Sequence, residues 1–391
     1  MNTATYDTDV TLYKNEPNGR RRTWRIVREG NKYKTFAGLE DGKITETNWT
    51  VVEGKNTGKI NATTSAEQAE ADLQRKIKRR AESGFAREGE APMVIEGVQD
   101  DWKSPTLAHK FQKSKHKIIY PAYTSPKLDG ARCYLTKDGM FTRTGREWVS
   151  SPHILRQLKP LFDEDPTLVL DGELYNHQLS DDFERMMSLI KKRKPTPADI
   201  SEAERLVEFW VFDIESGFGA EGQQFKDRYD TYRKVLLNWN NSSRTPTQKF
   251  QSIRAVRQYD VSSEADVERS TRSFVKNRFE GGMIRNADAL YEHKRTYNLQ
   301  KLKFFIDDEF VIIDVEKGIG DRSGMVGRLV CRAANGEEFG ASPNRPHDEM
   351  QKLWNDREKL IGKKATVKFQ NLSRRGVPRI IEGVPSIRDY E

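Results

Sequence analysis

Cysteine is nearly absent from this sequence: Cys133 and Cys331 are the only two among 391 residues. They stand far apart and lack metal-ligand spacing, which argues against a disulfide scaffold or a cysteine-built metal centre and fits a reducing cytoplasm. The six histidines are scattered along the chain, so a histidine zinc site is not expected either. No apolar run approaches the ~20 residues that cross a bilayer. The first residues, Met1-Asn-Thr-Ala-Thr-Tyr6, lack the basic and apolar segments of a secretory signal. A cytoplasmic protein is expected. Internal repeats and low-complexity tracts are missing as well.

What is abundant is charge. Lys and Arg number 67 against 59 Asp and Glu, a formal net charge of +8. A basic balance favours a polyanionic partner such as nucleic acid. The length exceeds a comfortable single core, so two or three domains are expected.

Residues 1–84 read as a small separate unit. Trp24-Arg-Ile-Val-Arg28 and Asn48-Trp-Thr-Val-Val52 are strand candidates, and Thr64-x-x-Glu67 is a capping box opening a helix to about residue 82. Two basic clusters lie here, Gly19-Arg-Arg-Arg22 and the cations between Arg75 and Arg80; both suit a solvated surface or a DNA-facing one. After a polar linker, residues 85–304 alternate strands and helices. Strands are expected at 131–135, 168–170, 208–214 and 282–285, with helices at 225–238 and 264–279. Residues 305–391 change texture: about five short strands and one helix, at 346–360, suggest a small barrel of the OB type.

The chemistry concentrates in the middle segment. Ser125-Pro-Lys-Leu-Asp-Gly-Ala-Arg132 places Lys127 close to Asp129, Gly130 and Arg132. A lysine amine is a covalent nucleophile once it loses its proton, and desolvation and neighbouring cations are expected to lower its pKa toward that point. Gly130 is expected to let the backbone turn tightly. Four further clusters follow at the ends of expected strands: Leu170-Asp-Gly-Glu-Leu174, Phe209-Trp-Val-Phe-Asp-Ile214, Glu280-Gly-Gly-Met-Ile-Arg285 and Lys301-Leu-Lys303. Phosphoryl chemistry needs this inventory of a nucleophile, carboxylates for Mg²⁺ and cations for phosphate charge. Asp171 and Asp213 read equally as turn caps, and Phe212 alone as core. Gly217-Phe-Gly-Ala-Glu-Gly222 matches a dinucleotide-binding pattern, but no acidic strand end falls about 20 residues later.

These five motifs, in this order, resemble the ATP-dependent DNA ligases of the nucleotidyltransferase superfamily, in particular compact viral or phage-type enzymes. The resemblance covers about residues 90–391. It implies an α+β fold: a nucleotidyltransferase (adenylation) domain followed by an OB-fold β-barrel, here with a small N-terminal accessory unit. That unit resembles WGR-like DNA-binding modules through Trp24-Arg25 and Asn48-Trp49, although no Trp-Gly-Arg triplet is present. The implied substrates are ATP and nicked double-stranded DNA, the metal Mg²⁺ with Mn²⁺ as a substitute, and the working form a monomer.

Carried over by resemblance, Lys127 becomes adenylylated, Ser125 meets the adenine edge and Phe212 stacks on the ring. Arg132 approaches the ribose or nick phosphate, and Arg143, in Phe141-Thr-Arg-Thr-Gly145, holds the 5′-phosphate. Glu173 serves the ribose hydroxyl and the metal, Glu280 positions the metal, and Lys301 and Lys303 neutralise the α-phosphate. The last family motif is only partly matched: Ile-Ile-Glu follows Pro378-Arg379 where a further aromatic or proline is common. An mRNA-capping guanylyltransferase shares the motifs and the barrel. An RNA ligase shares the motifs but generally lacks the barrel, and a non-catalytic nucleic-acid-binding relative would have lost one of the five.

Overall fold

The computed structural model describes residues 6–16, 19–56, 58, 60–91, 102–241, 250–319, 322–373 and 375–388. Contacts divide the chain into two compact units, Gly97–Phe304 and a second that combines Met1–Glu96 with Phe305–Glu391.

Gly97–Phe304 holds two five-stranded sheets. In the first, strands run in the order Ile253–Ala255, Glu208–Ser216, Val169–Tyr175, Ala131–Thr136, Gly139–Phe141. In the second the order is Tyr259–Val261, Ala122–Lys127, Gly281–Asn286, Arg295–Leu302, Leu107–Lys110. All pairs are antiparallel except Glu208–Ser216 with Ile253–Ala255 and Arg295–Leu302 with Leu107–Lys110. The sheets therefore follow period-two logic, one face to the core and one to the site. Glu208–Ser216 shows it: Phe209 and Val211 are wholly buried, while Trp210 and Phe212 project from the other face half-buried.

The core of the first sheet is completed by helices that the sequence reading omits. Pro152–Glu164 buries Ile154, Leu158 and Phe162, and Phe183–Ile190 buries Met186 and Ile190. Pro197–Leu206 is opened by a capping box between Thr196 and Asp199. The expected helix at 264–279 ends at Lys276. Arg278 then adopts φ 67°, a left-handed turn that redirects the chain so that the Glu280 N–H donates to the Lys127 carbonyl at 3.0 Å.

In the other unit, the N-terminal strands Thr8–Asn15, Arg21–Glu29, Lys32–Leu39 and Thr45–Glu46 form an antiparallel sheet, with Thr50–Val51 paired to Lys32–Leu39. The helix Ser65–Ala81 has the expected Thr64/Glu67 capping box and packs Ala69 and Leu73 into a core with Trp24 and Ile26. Pairing of Ala86 with Tyr13 and burial of Phe85 carry this packing a little past residue 84. Five C-terminal strands form an antiparallel sheet in the order Glu338–Ala341, Val326–Arg332, Ile306–Lys317, Lys364–Phe369, Gly383–Arg388, and Asn371–Leu372 pairs separately with Pro378–Arg379. The single helix expected at 346–360 is two, His347–Asn355 and Arg357–Leu360, parted at Asp356. Among the described residues no helix is long and apolar enough to cross a membrane.

Candidate active site

Lys127 ends the strand Ala122–Lys127 and lies in register with Gly281 on the neighbouring strand. Neighbouring strands within each sheet pass closely here, and glycine makes that approach feasible. A Cβ on Gly281 would run into the Leu302 carbonyl oxygen, and one on Gly130 into the Leu174 carbonyl oxygen. Gly130 is thus needed for close passage of two chains rather than for the tight turn expected of it; its φ is not positive.

A cleft of about 250 Å³ opens beside Lys127. Ser125, Arg132, Arg143, Glu173, Phe212 and Lys301 line it with Lys127. Glu280 and Lys303 join through charge: one Glu280 carboxylate oxygen pairs with the Lys127 ammonium and the other with Lys303. All nine residues singled out from the motifs therefore come together. Arg143 sits most exposed, on a turn whose Arg143 carbonyl accepts from the Trp102 indole N–H at 3.2 Å.

The protonation pattern departs from expectation. Burial would depress the Lys127 pKa, but Glu280, Glu173 and Asp129 outweigh it and hold the ammonium above its ordinary value. The free protein thus keeps its candidate nucleophile charged, because a carboxylate touches it. The depression expected at Lys127 occurs at Lys301 instead, through burial first and then repulsion from Lys127 and Lys303. Burial also opposes ionisation of Glu280, yet the two lysines overcome it and keep its carboxyl below the usual range.

Glu173 behaves oppositely. Burial, reinforced by Glu280 and Asp171, pushes its pKa up to about 7 in spite of Lys127 and Arg132. A carboxyl raised by folding favours the folded state fully below its ordinary 4.5, and that advantage is lost as pH rises through about 7. Glu173→Gln removes this titration. Its melting temperature is expected to gain on that of the native protein by a few degrees between roughly pH 5 and pH 8. Thermal melts across that range test this, and a pH-independent difference would contradict it.

Two cations lining the cleft, Arg132 and Arg285, are held by buried aspartates that in sequence read equally as turn caps. Asp171, fully buried, accepts from the Arg132 Nε at 2.5 Å and from its Nη2, and from the Tyr291 hydroxyl at 2.7 Å. Burial works against the Arg132 charge and Asp171 more than compensates, so the guanidinium stays above its ordinary pKa. It also lies 4.7 Å from the Phe212 ring centroid, a cation–π contact. Asp213, equally buried, accepts from Arg228 Nε at 2.9 Å and from Arg285 Nη1. Burial raises the Asp213 pKa, but the two guanidiniums bring it below the usual value. Arg285 lines the cleft; Arg228 is one of the largest fully buried side chains. The signal for both aspartates was their place inside apolar strands, since a carboxylate there requires a charged partner. Neither Arg228 nor Tyr291 gave one.

Among the described residues no group of three or more His, Cys, Asp or Glu side chains forms a metal cage. Mg²⁺ does not need one, because it keeps several waters and binds through one or two carboxylates plus substrate phosphates. Glu173 and Glu280, which raise each other's cost of ionisation in the cleft, fit that donor set.

Comparison with known proteins agrees with the motifs. The family described as ATP dependent DNA ligase domain matches residues 105–303. A DNA ligase of African swine fever virus (isolate Tick/Malawi/Lil 20-1/1983) is 27% identical over 363 residues, covering 87% of this chain and 80% of its own. A DNA ligase of Haemophilus influenzae is 26% identical over 258 residues, or 65% of this chain and 82% of its own. Among solved structures, one of the Lig E DNA ligases superposes with a TM-score of 0.57 at 24% identity, over 75% of this chain and 100% of that one. Half the chain, from just before Thr106 to Lys303, is thus the catalytic segment of a known enzyme class, and the protein belongs to the ATP-dependent DNA ligase family.

Proposed function

We propose that the protein seals 3′-hydroxyl/5′-phosphate nicks in duplex DNA through a lysyl-adenylate on Lys127. In the first step the Lys127 Nζ, after losing its proton, attacks the α-phosphorus of ATP. A phosphorus–nitrogen bond forms, and the bond to the β-phosphate oxygen breaks to release pyrophosphate. In the second, an oxygen of the nick's 5′-phosphate attacks the adenylyl phosphorus, and Lys127 leaves. In the third, the 3′-hydroxyl attacks the 5′-phosphate and AMP departs.

The observation that carries this reading is the Lys127–Glu280–Lys303 relay at a cleft walled by Arg132, Glu173, Phe212 and Lys301. Ser125 and Phe212 receive the adenine, and Lys301 and Lys303 take up the charge of the α-phosphate. Arg143 holds the 5′-phosphate of the nick, while Arg132, fixed by Asp171, faces the ribose or the nick phosphate. Because Lys127 is charged while paired, the pair with Glu280 must open before attack. Glu173 and Glu280 would hold Mg²⁺, or Mn²⁺ in its place, which supplies neutralisation of phosphate oxygens.

Residues 305–391 serve as an OB-fold domain and residues 1–84 as a WGR-like accessory unit, the whole acting as a monomer. A Lig E scaffold is matched over its entire length by three-quarters of this chain, which supports treating the remainder as an addition to the catalytic machinery. The direct test is incubation with α-labelled ATP or GTP, then a chase with nicked DNA. Label from ATP should appear on the protein and leave it as AMP when sealed product forms. Label from GTP alone would overturn the reading in favour of capping chemistry.

A further inference from the structure

We infer that the outward face of the Ser65–Ala81 helix, centred on Lys78 and Arg79, binds the phosphate backbone of duplex DNA, and that the Arg20–Arg22 run does not. The inference rests on DNA as the substrate of this ligase and assigns a surface that the catalytic cleft does not use.

Sequence alone cannot rank the two basic clusters of the N-terminal segment, but the folded chain does. The hairpin cluster is internally neutralised. Arg20 pairs with Asp41 at 2.9 Å, Arg21 with Glu88 and with Glu40 at 3.7 Å, and Arg22 with Glu16 at 2.8 Å. A phosphate approaching these side chains meets carboxylates already in contact with them, which offset their charge and repel it.

The helix differs. Five of the six residues from 75 to 80 are cations. At 100° per residue, Ala69, Leu73 and Ile77 face the sheet, and two of the cations lie toward that side. The Lys76 ammonium is 5.3 Å from the Tyr33 ring, and the Arg80 guanidinium 5.3 Å from Trp24 and 5.6 Å from Phe85. Their stems extend the core. Arg75, Lys78 and Arg79 fall on the opposite side and are exposed. Arg75 is held by Asp72. Lys78 and Arg79 have neither an ion pair nor a side-chain hydrogen bond among the described residues.

Cations near a helix C-terminus also offset its dipole, worth a few tenths of a kcal/mol to about 1. That accounts for cations in the last turn; it does not account for five in six residues with two left unpartnered. Two adjacent exposed cations with no partner among the described residues can exchange counterions for phosphate without breaking an ion pair or side-chain hydrogen bond described for the fold. This is the arrangement whose binding is driven by counterion release.

The test uses the full chain and the double variant Lys78→Gln/Arg79→Gln, which disturbs no internal partner. Fluorescence anisotropy with a nicked duplex, in the absence of ATP, gives the slope of log affinity against log salt. Each lost phosphate contact is expected to reduce that slope by about 0.9, so the double variant should lose about 2 and bind at least ~10-fold more weakly at low salt. Arg20→Gln/Arg21→Gln/Arg22→Gln should keep the native slope. Both proteins should still accept labelled AMP on Lys127, and far-ultraviolet circular dichroism should match the native spectrum. An unchanged slope in the Lys78/Arg79 variant, or an equal loss in the hairpin variant, overturns the assignment. Failure of the native protein to take up AMP would instead count against the ligase mechanism and leave the surface assignment to be judged by its own slopes.

Discussion

Replacing Lys127 by alanine is expected to reduce covalent AMP labelling to background, because in the proposed chemistry only Lys127 bonds to the α-phosphorus while Lys301, at the same cleft, takes up phosphate charge. The same variant should still seal a nick that already carries the 5′-adenylyl group, since the last step makes and breaks no bond to this side chain. Lys127→Arg is the sharper variant. A guanidinium retains the charge that Glu280 neutralises, so the buried pair survives, but it does not lose its proton near neutral pH. It should therefore fold normally and label no better than the alanine variant. Mass spectrometry of the intact protein after incubation with ATP reads the result. An adduct of AMP mass on either variant would remove Lys127 from the mechanism.

Glu280→Ala should be almost as damaging, by at least ~10² in the rate of adenylyl transfer, the scale on which a lost charge-stabilising group acts in a water-poor site. Its removal leaves the Lys127 and Lys303 ammoniums facing each other without the carboxylate that now lies between them. Mutual repulsion then lowers the Lys127 pKa, which alone would help deprotonation; the loss of position outweighs it. Glu280→Gln, of similar shape and without charge, separates the two contributions. Rapid-quench assays of AMP transfer and of sealing on a pre-adenylylated nick should both slow in the alanine variant. Native sealing there would confine Glu280 to the charging of the lysine.

The residues that would touch nucleotide were legible because each sits in a short motif whose spacing places it at a strand end or strand face. Lys301 lies on the strand Arg295–Leu302 and Lys303 just past its end, and both feel the charge of Glu280. What orients those residues was not legible in the same way. Asp171 and Arg132 are 39 positions apart, and Asp213 and Arg285 are 72 apart, so their pairing exists only once strands are in register. The charge state of Lys127 is hidden from sequence for the same reason: its partner Glu280 lies 153 positions away (280 − 127), and no local window contains both. Among the elements, Pro152–Glu164 carries Pro160 within it, which argues against a helix on propensity, yet its Ile154, Leu158 and Phe162 fill the first sheet's core. The Thr196/Asp199 box, by contrast, is a helix start that a local stretch of sequence carries.

The buried aspartate of the cleft wall has one more implication. Asp213 brings a single negative charge to two guanidiniums, Arg228 and Arg285, and Arg285 lines the cleft beside Lys127. The trio therefore carries a surplus of one positive charge. Lysines lend the cleft a conditional charge that each step of the reaction consumes or exposes. The surplus charge of the arginine pair does not depend on Lys127, so under the proposed mechanism attraction for an incoming polyanion would persist when Lys127 is neutral or carries AMP.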